Sequence, residues 1–265
     1  MCKSASSVLF WYTRQLVSAQ FGDTAQKELR ELTASGKIQG VGEFVNPVTD
    51  DVLESLLQLS REQGPLVVKA HCLLTDRIRA AIAGEGVKVV FSYRDPRDMI
   101  LSAIDHHRRS VETSNRQVFR EFTKVKDSIE PAKWWCEMAC EWVDSQLPLP
   151  LTYSEIVARP AAQIKRVAEF LGVETTAEFI DSLIAKENES RATGKNEFNK
   201  GDLVRYKNEM TPEEIFMCDR ELGKYILGLG YDVDPAHLEP RKPFASRQLR
   251  NLKKLVRKYS SANLM

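Results

Sequence analysis

The chain has 265 residues, 43% of them hydrophobic and 28% charged, with a formal net charge of +1. That length suits one large α/β domain covering residues 1–265, and the composition excludes collagen-like and disordered chains. A net charge so near zero gives no whole-molecule attraction for nucleic acid, so any anion site has to be local.

No apolar run reaches the roughly 18 residues that a membrane span needs. The N-terminus lacks the basic, apolar, small order of a signal peptide. Five cysteines, an odd number without framework spacing, suit a reducing compartment, and the expected location is cytoplasmic.

In chain order, Lys3-Ser4-Ala5-Ser6-Ser7 precedes an apolar helical pattern through Val8, Leu9, Tyr12 and Leu16. Helical patterns follow at Thr49–Gln63, Asp76–Ile82, Pro96–His107, Pro131–Gln146, Pro160–Leu171, Thr175–Lys186 and Thr211–Leu227. Between them, Pro65–His71, Val87–Tyr93 and, more weakly, Leu149–Tyr153 read as strands; their near-continuous apolarity marks strands covered on both faces. Strands alternating with helices predict a central, mainly parallel sheet with helices on both faces. The polar, glycine-punctuated stretch Ser190–Lys207 reads as a long functional loop.

Three of these segments carry chemistry. Small residues and hydroxyls at the start of the first helix leave backbone N–H groups to face an anion, and Lys3 adds positive potential there. Taken alone, the same stretch suits a capped helix with a loose tail better than an anion site. Arg94-Asp95-Pro96-Arg97-Asp98 lies where a buried strand ends and Pro96 opens a helix, the end at which α/β sheets bind ligands. His71 closes the run Pro65–His71, and an imidazole there suits proton transfer near neutral pH. Cys136 and Cys140 lie one helical turn apart without a second ligand pair, which favours packing over zinc. His106 and His107 are adjacent on one helix and diverge, so a shared ligand role is not expected of them, although either could line the acceptor pocket.

Together these segments resemble the sulfotransferase family that uses 3′-phosphoadenosine 5′-phosphosulfate (PAPS). Its phosphate loop, Pro-Lys-Ser-Gly-Thr-Thr-Trp, aligns with the seven residues from Cys2 to Val8, so Ala5 stands at the family's glycine. Its Arg-(Asn/Asp)-Pro-(Arg/Lys)-Asp motif, followed by a serine eight positions on, matches Arg94 and Ser102. Its Lys-(Thr/Ser)-His matches Lys69-Ala70-His71, its Arg-Lys-Gly loop matches Asn199-Lys200-Gly201, and Tyr153 matches a tyrosine near the adenine. Trp134, Trp135 and Trp142 also fit the pattern.

The resemblance implies a P-loop-like three-layer sandwich in which PAPS is the sulfuryl donor and no metal is needed. Lys3, Ser4, Ala5, Ser6 and Ser7 would cradle the 5′-phosphosulfate, while Arg94, Ser102, Asn199, Lys200 and Gly201 grip the 3′-phosphate. His71 would act as general base on an acceptor hydroxyl or amine, with Lys3 and Lys69 offsetting charge at the leaving oxygen and the sulfuryl group. The implied acceptor is a small molecule, a glycan or a lipid. The family's loop follows a strand; here either that strand is missing from the sequence or another segment replaces it. Two other readings stay open: a non-catalytic nucleotide-binding relative, and a nucleotide-dependent phosphotransferase, against which the lack of G-x-x-x-x-G-K-[ST] counts. A basic amphipathic tail helix at about 244–260 suits either peripheral membrane contact or packing on the domain.

Overall fold

A computed structural model describes residues 3–114, 119–192 and 203–238. Helices α1 (Ser6–Phe21) and α2 (Thr24–Ala34) come first and lead into an antiparallel hairpin, β1 (Gly40–Val41) and β2 (Phe44–Val45). Then follow α3 (Asp50–Gln63), α4 (Asp76–Gly84), β3 (Val90–Tyr93), α5 (Pro96–Ser114) and α6 (Val125–Asp144). Strand β4 (Leu149–Thr152) precedes α7 (Tyr153–Ala158), α8 (Pro160–Leu171) and α9 (Ala177–Ala192). Helices α10 (Tyr206–Glu209), α11 (Pro212–Gly228) and α12 (Pro235–Leu238) complete the described residues.

Strands β3 and β4 run parallel, from Val90 opposite Leu149 to Tyr93 opposite Thr152. Parallel neighbours need a crossover, and α5 with α6 supplies it. Alternate residues divide between two cores. Phe91 and Tyr93 pack with apolar side chains of α3 to α6 and α11. Val90, Leu149 and Leu151 pack with those of α1, α8 and α9. A third, smaller core of Leu29, Ile38, Val45, Leu56 and Leu59 fastens α2 and the hairpin to α3.

The described residues are mostly helical, and the parallel sheet among them is two strands wide. The run Pro65–His71, expected as a third strand, forms only one bridge, Lys69 beside Phe44. Its hydrogen bonds explain why. Val67 donates its N–H to Gln26 Oε1 at 2.9 Å and accepts from Gln26 Nε2 at 2.7 Å. The buried Gln26 amide thus does what a neighbouring strand's backbone would do. Lys69 N donates to Glu43 O, and Val45 N donates to Lys69 O, both at 2.9 Å. The segment is extended and paired, without a ladder.

Three helix boundaries also move, the first being the end of α5, which runs past the expected His107 to Ser114. Helix α6 begins at Val125, six residues before the expected start, and holds Pro131 within it. The buried stripe Val125, Ile129, Ala132, Cys136 and Ala139 recurs at helical spacing and draws that early turn in. Helix α9 runs to Ala192, so the expected loop Ser190–Lys207 opens as helix and ends inside α10. Asn199, Lys200, Gly201 and the tail helix lie outside the described residues.

Candidate functional site

The site begins at the loop before α1. Lys3 and Ala5 both take left-handed backbone conformations, φ 54° and 63°. Ser4 lies between them, fully buried, and its hydroxyl donates to Ser92 O at 2.9 Å with Ser92 Oγ at the same distance. That bond pins the loop to β3 two residues before Arg94. It also turns the Ser4 side chain toward the strand, so an anion would meet Ser4 through its backbone. Helix α1 has no side-chain cap at Ala5 and no acidic residue in its first turn. The N–H groups of a helix's first turn have no intrahelical acceptor, and here no side chain of the cap takes their place. Half-buried Ser6 opens the helix and Ser7 is exposed beside it.

The extended run Pro65–His71 brings two more groups to this end. Lys69 Nζ donates to Ser7 Oγ at 2.7 Å and lies 5.7 Å from the centre of the Phe44 ring. His71 is two residues further on, which in extended chain returns a side chain to the same side. Its ring meets Phe44 edge-on at 5.5 Å and Trp135 at 5.3 Å. Burial, with neighbouring positive charge that includes Lys69, pushes the His71 pKa down to about 3. The imidazole is therefore neutral at physiological pH, with a lone pair available.

Across the loop, Arg94 leaves β3 and lays its guanidinium over the Tyr153 ring, 3.8 Å from its centre. Tyr153 is the first residue of α7, where Thr152 and Glu155 form a capping box that fixes the turn. Arg94 Nη2 also donates to Asp98 Oδ2 at 3.3 Å. Burial, against the pull of Arg94, keeps the Asp98 pKa above the ordinary carboxylate value. Ser102 is buried one turn beyond Asp98 on α5. The second arginine of the motif does different work. Arg97 is bound by Asp95 and by Asp219, at 2.7 and 2.8 Å, and stacks over Tyr206 at 3.9 Å. It holds α11 and the start of α10 against α5.

The structure therefore gathers Lys3, Ser7 and Lys69 at one helix end, with His71 on the adjoining segment and Arg94 with Tyr153 just past the ends of β3 and β4. Among the described residues, no group of three or more His, Cys, Asp or Glu is disposed to hold a metal ion. No described helix is long and apolar enough to cross a membrane. Two contributors were not read from the sequence. Phe44 sits in a region, residues 23–48, that carries no chemical motif. His106, whose Nδ1 lies 3.3 Å from Lys3 Nζ, was read as a candidate for the acceptor pocket and not as a partner of Lys3.

A donor carrying two separate anionic groups fits this arrangement. Its residues are cations, hydroxyls and an uncapped helix start at one place and a buried arginine at another, and none of the helix-start residues is acidic.

Comparison with known proteins agrees. A family model described as "Sulfotransferase domain" matches residues 6–222. Cytosolic sulfotransferase 1 of Arabidopsis thaliana is 29% identical over 166 residues, 51% of this chain and 49% of its own length. The chain thus spans about half the length of that curated relative. Among solved structures, retinol dehydratase in complex with androsterone and inactive cofactor PAP aligns with 89% of this chain and 81% of its own, at 16% identity and TM-score 0.54. A mouse sulfotransferase complexed with PAP aligns with 66% of this chain and 73% of its own, at 14% identity and TM-score 0.47.

Proposed function

This chain belongs to the sulfotransferase domain family, and we propose that it transfers a sulfuryl group from PAPS to the hydroxyl of a small apolar acceptor. The observation that carries this reading is the 2.7 Å contact of Lys69 with Ser7, which joins the His71 segment to the uncapped start of α1. Two stretches more than sixty positions apart meet there, and each brings a part that the chemistry needs.

Lys3 and the first-turn N–H groups of α1 hold the 5′ end of the donor, and Arg94 with Ser102 selects its 3′-phosphate. Asn199, Lys200 and Gly201 are proposed to join them, and Tyr153 backs Arg94. When bound, PAPS supplies an electrophilic sulfuryl group and a phosphate leaving group. Fixed cations that face developing negative charge are usually the largest catalytic contribution, and Lys3 and Lys69 take that part. His71 takes the acceptor's proton. Its pKa, depressed chiefly by burial and less by Lys69, keeps it unprotonated and ready to accept.

The walls around His71 support an apolar or aromatic acceptor. Phe44 and Trp135 flank the ring, and Trp134 beside them is 46% exposed. Aromatic faces suit a phenol or an apolar alcohol more than a polyanionic glycan. Androsterone, held in the retinol dehydratase structure, is of that kind. A cytoplasmic setting accords with an odd number of cysteines without framework spacing.

Incubation with PAPS and a panel of small phenols and apolar alcohols, para-nitrophenol among them, tests the reading. Acceptor-dependent release of adenosine 3′,5′-bisphosphate is expected. Tight binding of the bisphosphate with no transfer to any acceptor would instead assign the chain a non-catalytic role.

A further inference from the structure

Lys3 does not stand by itself at the mouth of the loop. Its ammonium lies 3.3 Å from Nδ1 of His106. An ammonium has only protons to give, so Lys3 donates and Nδ1 is the unprotonated nitrogen, with the ring's proton on Nε2. His106 follows Ser102 by four positions on α5, so the two share one face of the helix. The His106 ring is set by packing: it meets Phe119 edge-on at 5.5 Å, and Phe119 meets the fully buried Phe122 at 5.8 Å.

We propose that His106 is a positioning residue for Lys3, holding the lysine's ammonium in a fixed direction without cancelling its charge. This role rests on the reading of Lys3 as the cation that serves the leaving phosphate. A lysine side chain has several rotatable bonds, and a hydrogen bond to a packed ring narrows the positions its ammonium takes. A carboxylate partner would fix it and neutralise it together, as Asp95 and Asp219 do to Arg97. A neutral imidazole fixes the direction and sets no charge of its own against the lysine's.

Two measurements test this. The first needs no donor: long-range proton–nitrogen NMR of the free protein at neutral pH. It should show Nδ1 of His106 unprotonated and Nε2 protonated, and Lys3→Met should shift the Nδ1 signal. A protonated Nδ1, or a signal that ignores Lys3→Met, overturns the proposal whatever the fate of the catalytic reading.

The second is kinetic, with para-nitrophenol and PAPS. His106→Leu should lower kcat about tenfold, the scale of one charge-assisted hydrogen bond, while the affinity for adenosine 3′,5′-bisphosphate changes by less than about threefold. His106→Asn keeps an acceptor oxygen near the place of Nδ1 and should restore kcat to within about threefold of the parent. In a Lys3→Met background, His106→Leu should cost nothing further. Additive losses, or an asparagine variant as poor as the leucine one at an unchanged melting temperature, defeat the role. If Lys3→Met itself leaves kcat unchanged, the reading of Lys3 fails and this role falls with it.

Discussion

Helices α1 and α11 begin in opposite ways. Helix α11 closes its own start: Thr211 Oγ1 accepts from Glu214 N, the Glu214 carboxylate accepts from Thr211 N, and Pro212 takes the first helical position. Glu213 and Glu214 place negative charge against the positive end of the helix dipole. Helix α1 has none of these. Its cap is an alanine in a left-handed conformation, its first turn holds no acid, and Lys69 reaches its Ser7. A helix start completed by its own side chains gives stability and nothing else. One left for an external anion gives up that stability and gains a binding site. On this view, changes at α1 should alter chemistry and changes at α11 should alter folding.

The largest effect expected is at His71. His71→Ala should lower kcat by roughly 10²–10⁴-fold, the usual worth of a positioned proton acceptor, and bisphosphate binding should change little. Thr211→Ala should do the reverse, lowering unfolding free energy by about 1 kcal/mol, typical for a lost cap, and leaving kcat within about twofold. Release of adenosine 3′,5′-bisphosphate and urea denaturation, run on both variants, decide it. A His71→Ala rate within threefold of the parent removes His71 from the mechanism. Acid should show the same residue from the folding side. The His71 pKa is about 3 in the folded protein and near 6.5 in an unfolded chain. Below pH 6.5 the unfolded chain takes up a proton that the folded one refuses, so this contribution is complete above 6.5 and is lost as pH falls toward 3. His71→Gln should flatten that part of a melting-temperature profile.

Arg94 sharpens the comparison with an intermediate effect. Its guanidinium is held by Tyr153 and Asp98, so it is fixed before any ligand arrives. A charge-assisted hydrogen bond is worth about 1.5–3 kcal/mol, so Arg94→Ala should weaken adenosine 3′,5′-bisphosphate by roughly ten- to 150-fold. Adenosine 5′-monophosphate, which lacks the 3′-phosphate, should bind almost as before. Calorimetry with both nucleotides reads the difference. Equal losses for the two would mean that Arg94 only raises the general positive potential.

Much of this was legible in the sequence, and the part that was not has a physical cause. The extent of α8, Pro160–Leu171, was read without error because Pro160 and Gly172 mark its ends. Val90–Tyr93 and Leu149–Thr152 were found because strands covered on both faces are written as unbroken apolar runs. Pro65–His71 carries the same signature, yet its partner is the side chain of Gln26, forty-one positions before Val67. Apolarity reports burial and does not report what satisfies the backbone. Pro131 misled for a related reason: proline marks helix starts on average, but the stripe from Val125 to Ala139 outweighs one lost hydrogen bond. The groups of the site were visible where a motif carried them. Phe44 and His106 were not, because their roles come from what they meet in space. The placement of Ser4 against Ser92 likewise appears in no spacing rule.

The smallest effect concerns Ala5, and its sign is the informative part. Ala5 has φ 63° and ψ 19°, a region that glycine enters freely and an L-residue enters at a cost of roughly 1–2 kcal/mol. Its methyl is partly buried on the core shared by α1, α8 and α9, which offsets a fraction of that strain. Glycine also gives the unfolded chain more freedom, which offsets more of it. Ala5→Gly should therefore raise stability by about 0.5 kcal/mol and, by letting a phosphate approach the backbone more closely, tighten bisphosphate binding a few-fold. The same substitution at Ala80, an exposed position inside α4, meets ordinary helical backbone and should cost about 1 kcal/mol. Urea denaturation of the pair therefore compares one chemical change in two backbone conformations. If Ala5→Gly loses as much as Ala80→Gly, the loop before α1 is not strained, and its open helix start needs another explanation.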